Sequence, residues 1–119
     1  MELNFKRKNK TLVVKIYGEI DHHTSQEIRR QIETALIEMG GRNIIFDFEN
    51  VTFMDSSGIG MLIGRYKQLQ IFNGKLSIYN ANEKIEELIR LSGLIKLIPI
   101  FTDMNESLFY AEGGETNAV

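Results

Sequence analysis

The sequence contains no cysteine, and this absence excludes disulfide bonds and thiolate metal sites. No apolar run approaches the roughly 20 residues that a membrane-spanning helix needs. The first eight residues lack the apolar segment of a signal peptide. We therefore expect a cytoplasmic protein that has no membrane partner.

The chain also lacks a surplus of basic residues: it has 14 Lys and Arg against 16 Asp and Glu, a formal net charge of -2. A nucleic-acid-binding surface needs basic residues clustered on one face, so we expect no nucleic-acid partner. With 119 residues, 43% of them hydrophobic, the chain has the size and composition of one globular domain. We expect this domain to span residues 1–112, followed by a flexible tail at 113–119 that has nothing to bury.

Segments of β-forming residues alternate with segments of helical periodicity. Strands are predicted at residues 3–7, 11–17, 43–48, 75–79 and 97–101, and helices at 24–39, 56–72, 83–91 and 105–111. This order predicts an α/β fold whose mixed, mostly parallel sheet of four or five strands carries about four helices. Because the strands alternate in polarity instead of reading as continuous apolar runs, we expect the helices to lie mainly on one face. Pro99 restricts the last strand to an edge of the sheet.

The first long helix has recognisable start and stop signals. Thr24 and Glu27 fit the spacing of a capping box, so Thr24 is predicted as the N-cap and the preceding residues 19–23 as a polar loop. Gly40 and Gly41 provide the stop.

The central segment, residues 51–60, brings two serines to the point where a loop becomes a helix. Free backbone N–H groups and the helix dipole favour an oxygen anion there. Two interpretations of Asp55-Ser56-Ser57 stay open: a helix cap, or a phosphoacceptor serine whose phosphate would face Asp55.

Other motifs point to chemistry less strongly. Gly58, Gly60 and Gly64 resemble a dinucleotide fingerprint, but the third glycine falls one residue late and the expected acidic residue is missing. We expect Gly60 and Gly64, which share one helical face, to serve close packing of the helix backbone against the sheet or against a partner instead. Arg65 belongs either to a solvated helix face or to a contact patch for a protein partner.

The two adjacent histidines, His22 and His23, do not have the spacing of a metal site, so no metal ligand is predicted. A triad of Ser56, His22 and Asp21 would require folding to bring the two loops together. The Gly-x-Ser-x-Gly signature of a nucleophile elbow is absent.

Three stretches together resemble the anti-sigma factor antagonists built on the STAS domain, and within them the sporulation sigma-F type. They are Gly18-Glu19-Ile20-Asp21-His22-His23-Thr24, Phe53-Met54-Asp55-Ser56-Ser57-Gly58-Ile59-Gly60 and Gly64-Arg65-Tyr66-Lys67-Gln68. The resemblance implies a non-enzymatic protein without cofactors that is a monomer when free. It also implies that the unphosphorylated form binds an anti-sigma factor with serine kinase activity, which then phosphorylates it, and that a serine phosphatase reverses the modification.

By position in the motif, the resemblance implies phosphorylation at Ser56 and not at Ser57. It implies that one set of residues contacts the partner: Glu19, Asp21, His22, His23, Thr24, Asp55, Ser56, Ser57, Gly58 and Arg65. Three alternatives stay open. They are a general-stress antagonist with the same mechanism, a small hydrolase that uses Ser56 with His22, and a nucleotide-binding sensor.

Overall fold

The computed structural model describes residues 1–114, which form six strands, four α-helices and a 3₁₀ turn at Leu94–Lys96. The strands are β1 (Glu2–Lys8), β2 (Thr11–Ile20), β3 (Asn43–Asp47), β4 (Val51–Met54), β5 (Leu76–Tyr79) and β6 (Ile100–Phe101). The helices are α1 (His22–Met39), α2 (Ser56–Gln70), α3 (Glu83–Leu91) and α4 (Met104–Ala111). The predicted tail extends beyond the described residues from 115 onward, so this part of the prediction stays a prediction.

The sheet has the order β1-β2-β3-β5-β6, and β4 pairs separately with β2, in a register that shifts between Gly18 and Glu19. Only the β1–β2 hairpin is antiparallel among the pairs of the described residues; the other pairs are parallel. The predicted α/β class and the mixed, mostly parallel sheet are therefore confirmed. The sheet has one strand more than the upper predicted count, because β4 was expected to be part of a loop.

One face of the sheet and the inner sides of α1, α2 and α3 form the main core. Its members are large apolar side chains with almost no exposed surface, among them Leu12, Val14, Ile16, Ile28, Ile32, Ile44, Phe46, Leu62, Ile78 and Ile89. Side chains alternate between the faces of a strand, so Ile45 and Ser77 lie on the opposite face, where α4 packs and the Tyr110 ring lies 5.5 Å from that of Phe101. The prediction that the helices lie mainly on one face is thus confirmed.

Two local predictions at the ends of α2 and β6 have different outcomes. Ile78 N–H donates to the carbonyl of Pro99, and β6 lies at the edge of the sheet as predicted, but it comprises only Ile100–Phe101 and not the predicted residues 97–101. The helix predicted at 56–72 ends two residues early, at Gln70, and Phe72 lies beyond it and is 62% exposed. None of the helices in residues 1–114 is both long and apolar enough to cross a membrane.

Candidate functional site

The start of α2 exposes a serine beside a fixed carboxylate. Asp55 is the N-cap of α2, and its Oδ1 accepts a hydrogen bond of 2.8 Å from the Ser57 backbone N–H. Ser56 is the first helical residue and is exposed, whereas Ser57 is half-buried. The helix therefore presents the Ser56 hydroxyl to solvent, next to an acidic group that its own hydrogen bond keeps in place.

The start of α1 is capped by a second aspartate. Asp21 Oδ1 accepts from the backbone N–H groups of His23 and Thr24, at 3.0 and 2.9 Å. In return the Thr24 hydroxyl accepts from the Asp21 N–H at 2.8 Å and donates to the Glu19 carbonyl. These bonds form a capping box whose N-cap is Asp21, so the prediction of Thr24 as the N-cap was wrong.

The predicted polar loop at residues 19–23 is also wrong. Glu19 and Ile20 continue β2, and His22 already begins α1, which leaves Asp21 as the whole connection. The physical reason is that β4 extends the pairing of β2 as far as Ile20. The helix must then start at once, and Asp21 is the residue in position to cap it.

Pairing between β2 and β4 brings the two helix starts together. Ile20 and Met54 are neighbours across the parallel pair, and Asp55 N–H donates to the Ile20 carbonyl at 3.2 Å. Asp21 and Asp55 each follow one of these paired residues, so both helices begin at the same edge of the sheet. The predicted segments 19–24 and 55–58 therefore form one surface, which we call the double helix-start surface.

The remaining predicted residues of this surface differ in exposure. Glu19, His22 and His23 are exposed, and the two imidazole rings lie 5.9 Å apart at an angle of 65°. Gly58 is buried, and a Cβ at this position would lie only 2.2 Å from Met54 Cγ. Gly58 thus allows α2 to approach β4 closely and offers no side chain to a partner.

Arg65 lies apart from the double helix-start surface. It is nine residues after Ser56, a distance of about 13 Å along an α-helix. Only 7% of its surface is exposed, so the interpretation of Arg65 as part of a solvated helix face was wrong. Burial lowers the pKa of the Arg65 guanidinium, with a smaller opposing contribution from Glu33.

The geometry does not assemble the sites that the alternatives need. The carboxylate of Asp21 accepts hydrogen bonds from the first turn of α1 and not from an imidazole, and no hydrogen bond links Ser56 to His22 within residues 1–114. The glycines from Gly58 to Gly64 lie inside α2 and not in a phosphate-binding loop. In the described part of the chain, no cluster of three potential metal ligands exists.

The cap at Asp21 predicts a pH dependence of stability. Hydrogen bonds from the Thr24 backbone N–H, and then from the Thr24 hydroxyl and the His23 N–H, hold the pKa of the Asp21 carboxyl below its usual value. A carboxyl with a depressed pKa in the folded state stabilises the protein above its unfolded pKa of about 4. This contribution is lost as the pH falls through the lower folded pKa. Asp21→Asn keeps the capping oxygen but not the charge.

We therefore expect Asp21→Asn to lower the Tm at pH 7 and to match the wild-type Tm near pH 2. Thermal unfolding followed by circular dichroism at both values measures this difference. The control is Glu38→Gln, which removes an exposed carboxylate near the other end of α1 and should not lower the Tm at pH 7. If Asp21→Asn lowers the Tm by the same amount at both pH values, the charge of the Asp21 carboxylate does not stabilise the cap.

Comparison with known proteins adds independent information. The family model of the STAS domain matches residues 2–107. An anti-sigma F factor antagonist of Paenibacillus polymyxa is 34% identical over 101 residues, which cover 85% of this chain and 86% of that protein. An anti-sigma-B factor antagonist of Staphylococcus aureus is 32% identical over 102 residues, which cover 84% of this chain and 94% of that protein.

Solved structures of the anti-sigma factor antagonist SpoIIAA are similar as well. The unphosphorylated form superposes with a TM-score of 0.80 at 28% identity and covers 97% of this chain and 100% of that one. The phosphorylated form from Bacillus has a TM-score of 0.71 at 29% identity, over 92% of this chain and 98% of that one. The fold and most of the length are thus shared with proteins of this kind.

Proposed function

The chain belongs to the STAS domain family, and from this premise we propose that it is an anti-sigma factor antagonist of the sporulation sigma-F type. In its unphosphorylated form it binds an anti-sigma factor that is also a serine kinase, and this binding releases the sigma factor. The protein acts in the cytoplasm as a monomer when free, and it is a substrate of the kinase and not itself an enzyme.

The observation that carries the proposal is the exposed Ser56 hydroxyl on the double helix-start surface. A kinase substrate must present its hydroxyl to solvent, and Ser56 does so at the first position of α2. The adjacent capped start of α1 gives the kinase a rigid surface to bind, because hydrogen bonds fix Asp21, Thr24 and Asp55. The phosphorylated form of SpoIIAA supports the same modification by analogy.

In the proposed cycle, the kinase transfers the γ-phosphoryl group of ATP to Ser56 Oγ, which loses its proton, and ADP is released. The phosphoserine carries nearly two negative charges at neutral pH. Asp55 already occupies the Ser57 N–H, so a phosphate on Ser56 lies beside this carboxylate and cannot use that donor. The modified surface then releases the kinase, and a serine phosphatase restores binding by hydrolysing the phosphoester.

The choice of partner within this class rests on the similarity of three stretches to the sporulation type. The motif around Ser56, together with residues 18–24 and 64–68, favours the sporulation type over the general-stress type. Relatives of both types have similar identities to this chain, 34% and 32%. Direct measurement of affinity for a sporulation and a general-stress anti-sigma factor distinguishes the two.

The proposal predicts phosphorylation at a single residue. Incubation of the protein with a sporulation anti-sigma kinase and ATP should add one phosphate, and peptide mass spectrometry should place it on Ser56. Ser56→Ala should stay unmodified, whereas the control Ser57→Ala should still be phosphorylated. Phosphate on Ser57, or no phosphate at all, would overturn the assignment.

A further inference from the structure

One cavity beside the double helix-start surface runs between α1 and α2, past Gly60 and Gly64. A Cβ built on either glycine meets no atom within 4 Å, so the prediction that they pack closely against the sheet was wrong. Their packing against a partner stays a prediction. Another cavity lies at the opposite end of the domain, and the residues that line it have a chemistry that points to a ligand.

A basic residue stands directly before each of three adjacent parallel strands. Lys10 precedes β2, Arg42 precedes β3 and Lys75 precedes β5. The three strands are neighbours in the sheet, and being parallel they start at the same edge. Neighbouring strands lie about 4.8 Å apart, so three cations enter one small region from successive strands. The sequence contains this pattern, but only the pairing of the strands makes the three positions neighbours.

The three basic side chains line one cavity, which we call the strand-entry pocket. It has a volume of about 210 Å³, and the polar residues that line it with them are Asn43, Asn73 and Glu112. Sites that enclose drug-sized ligands have volumes of roughly 300–1,000 Å³. The strand-entry pocket is smaller than this range, so it suits a small anion and not a whole nucleotide or a peptide segment.

Hydrogen bonds between the strand starts fix the base of the pocket. The Lys10 carbonyl accepts from the backbone N–H groups of Arg42 and Asn43, at 2.7 and 3.0 Å. The Asn43 side chain is buried, and its Oδ1 accepts from the Lys75 N–H at 3.0 Å. The Lys75 ammonium lies 4.6 Å from the centre of the Tyr110 ring. The backbone of all three basic residues is therefore held in place around the cavity.

The pocket has an excess of positive charge. Glu112 is the acidic residue among those that line it, and its carboxylate accepts a hydrogen bond from the Thr11 hydroxyl. Within residues 1–114, no carboxylate lies within 4.0 Å of the charged nitrogens of the three basic residues. Three cations less one carboxylate leave two positive charges. Like charges around one cavity repel one another, so the pocket favours an anion of two charges.

We propose that the strand-entry pocket binds the phosphoryl group of a small soluble phosphate or phosphomonoester. Such a group carries nearly two negative charges at neutral pH and has three strong acceptor oxygens. These match the excess charge of the pocket and the number of its basic side chains. The Arg42 guanidinium can donate two parallel hydrogen bonds to the group, and the two lysines contribute compact charges.

The strand-entry pocket lies far from Ser56. The ten residues of β2 separate the strand starts from the double helix-start surface, which is about 30 Å at 3.3 Å per residue. A ligand in the pocket therefore leaves the proposed contact with the kinase uncovered. The inference goes beyond the proposed function and does not depend on it.

Calorimetric titration with glycerol 3-phosphate and with inorganic phosphate tests the proposal. We expect a Kd of roughly 1 mM or lower for at least one of them, and no saturable signal from sodium chloride at the same ionic strength. Arg42→Gln and Lys10→Gln change exposed side chains and should each weaken binding about tenfold, because each removes a hydrogen bond to a charged group. Lys84→Gln is the matched control: it removes an exposed ammonium from α3 and should leave binding unchanged.

Thermal unfolding provides a second measurement. A ligand that binds only the folded state raises the Tm, and glycerol 3-phosphate at ten times its Kd should raise that of the wild-type protein by about 5 °C. Arg42→Gln should show a clearly smaller rise. Phosphate salts also stabilise proteins without a specific site, and that effect should be the same in both proteins. If Arg42→Gln fails to fold in buffer alone, Lys10→Gln decides.

The outcomes are distinct. Saturable binding that Arg42→Gln and Lys10→Gln weaken, and that Lys84→Gln leaves unchanged, supports the proposal. If neither probe binds the wild-type protein, or if all variants bind equally well, the proposal is overturned. Sedimentation with vesicles of phosphatidylcholine and phosphatidic acid is the last arm. Binding to these vesicles without binding to glycerol 3-phosphate would make the pocket part of a membrane contact and overturn the assignment of a small ligand. None of these experiments contains the anti-sigma kinase, so their failure leaves the proposed function as it stands.

Discussion

Ser56→Asp is expected to weaken binding of the anti-sigma kinase about a hundredfold. Two unit charges about 5 Å apart interact by roughly 3 kcal/mol at an effective dielectric constant of 20, and 1.4 kcal/mol corresponds to a factor of ten in affinity. The new carboxylate would lie beside Asp55, which cannot turn away without losing its hydrogen bond to Ser57. Water screens this repulsion in the free protein, and a partner that covers the surface removes that water.

The matched control for this experiment is Ser56→Asn, which has nearly the size of aspartate without its charge. We expect Ser56→Asn to retain most of the affinity and Ser56→Ala to bind as the wild-type protein does. Isothermal calorimetry with the purified kinase measures all three. Equal losses for the aspartate and asparagine variants would mean that size and not charge releases the partner. No loss in either would place Ser56 outside the interface.

If charge releases the partner, the difference in affinity between Ser56→Asp and Ser56→Asn should depend on salt. The Debye length falls from about 10 Å at 0.1 M ionic strength to 3 Å at 1 M, so salt screens exposed charges strongly and buried ones much less. A difference between Ser56→Asp and Ser56→Asn that survives 0.5 M salt would show that the interface buries both carboxylates. A difference that disappears would place them at its rim.

Gly74→Ala is expected to destabilise the fold by about 3 kcal/mol or more. Gly74 links the end of α2 to β5, and its N–H donates to the Leu69 carbonyl at 2.8 Å. A Cβ at this position would lie 1.9 Å from the carbonyl oxygen of Arg42. That oxygen cannot move freely, because the Arg42 N–H is bonded to the Lys10 carbonyl at 2.7 Å. The backbone that leads into β3 and β5 must therefore shift.

Urea unfolding and thermal unfolding followed by circular dichroism measure this effect, and we expect the Tm to fall by roughly 12 °C. Gly60→Ala is the matched control, since its Cβ enters open space. It should stabilise the protein by about 0.5–1 kcal/mol, the usual gain of alanine over glycine within a helix. A Gly74→Ala variant within 1 kcal/mol of the wild-type stability would show that this backbone adapts more easily than its hydrogen bonds indicate.

Glycine positions illustrate what a sequence reveals and what it hides. Gly40 was predicted to end α1, and it does so with a φ of 77°. By contrast, Gly58, Gly60 and Gly64 lie within one motif and have opposite environments: Gly58 contacts Met54, whereas Gly60 and Gly64 face an open groove. Nothing within a few residues of these positions separates the two cases, because the difference depends on which neighbouring element lies opposite.

The sequence by itself determined the local elements of this protein. The two-residue alternation of the strands, the helical stripes of α1 and α3 and the acidic cap before Ser56 all act over a few positions, so they are readable without a fold. The change from loop to helical periodicity at residues 51–60 likewise placed Ser56 at a helix start, where the structure has it.

Only the tertiary structure decided the rest. Asp21-x-x-Thr24 and Thr24-x-x-Glu27 both match a capping box, and the pairing of Ile20 with Met54 selects the first. The same pairing makes a strand of residues 51–54, whose alternation is too short to recognise alone. The burial of Arg65 depends in turn on α1 lying beside α2. Each of these features arises from contacts between segments that are distant in the chain, and local chemistry does not encode such contacts.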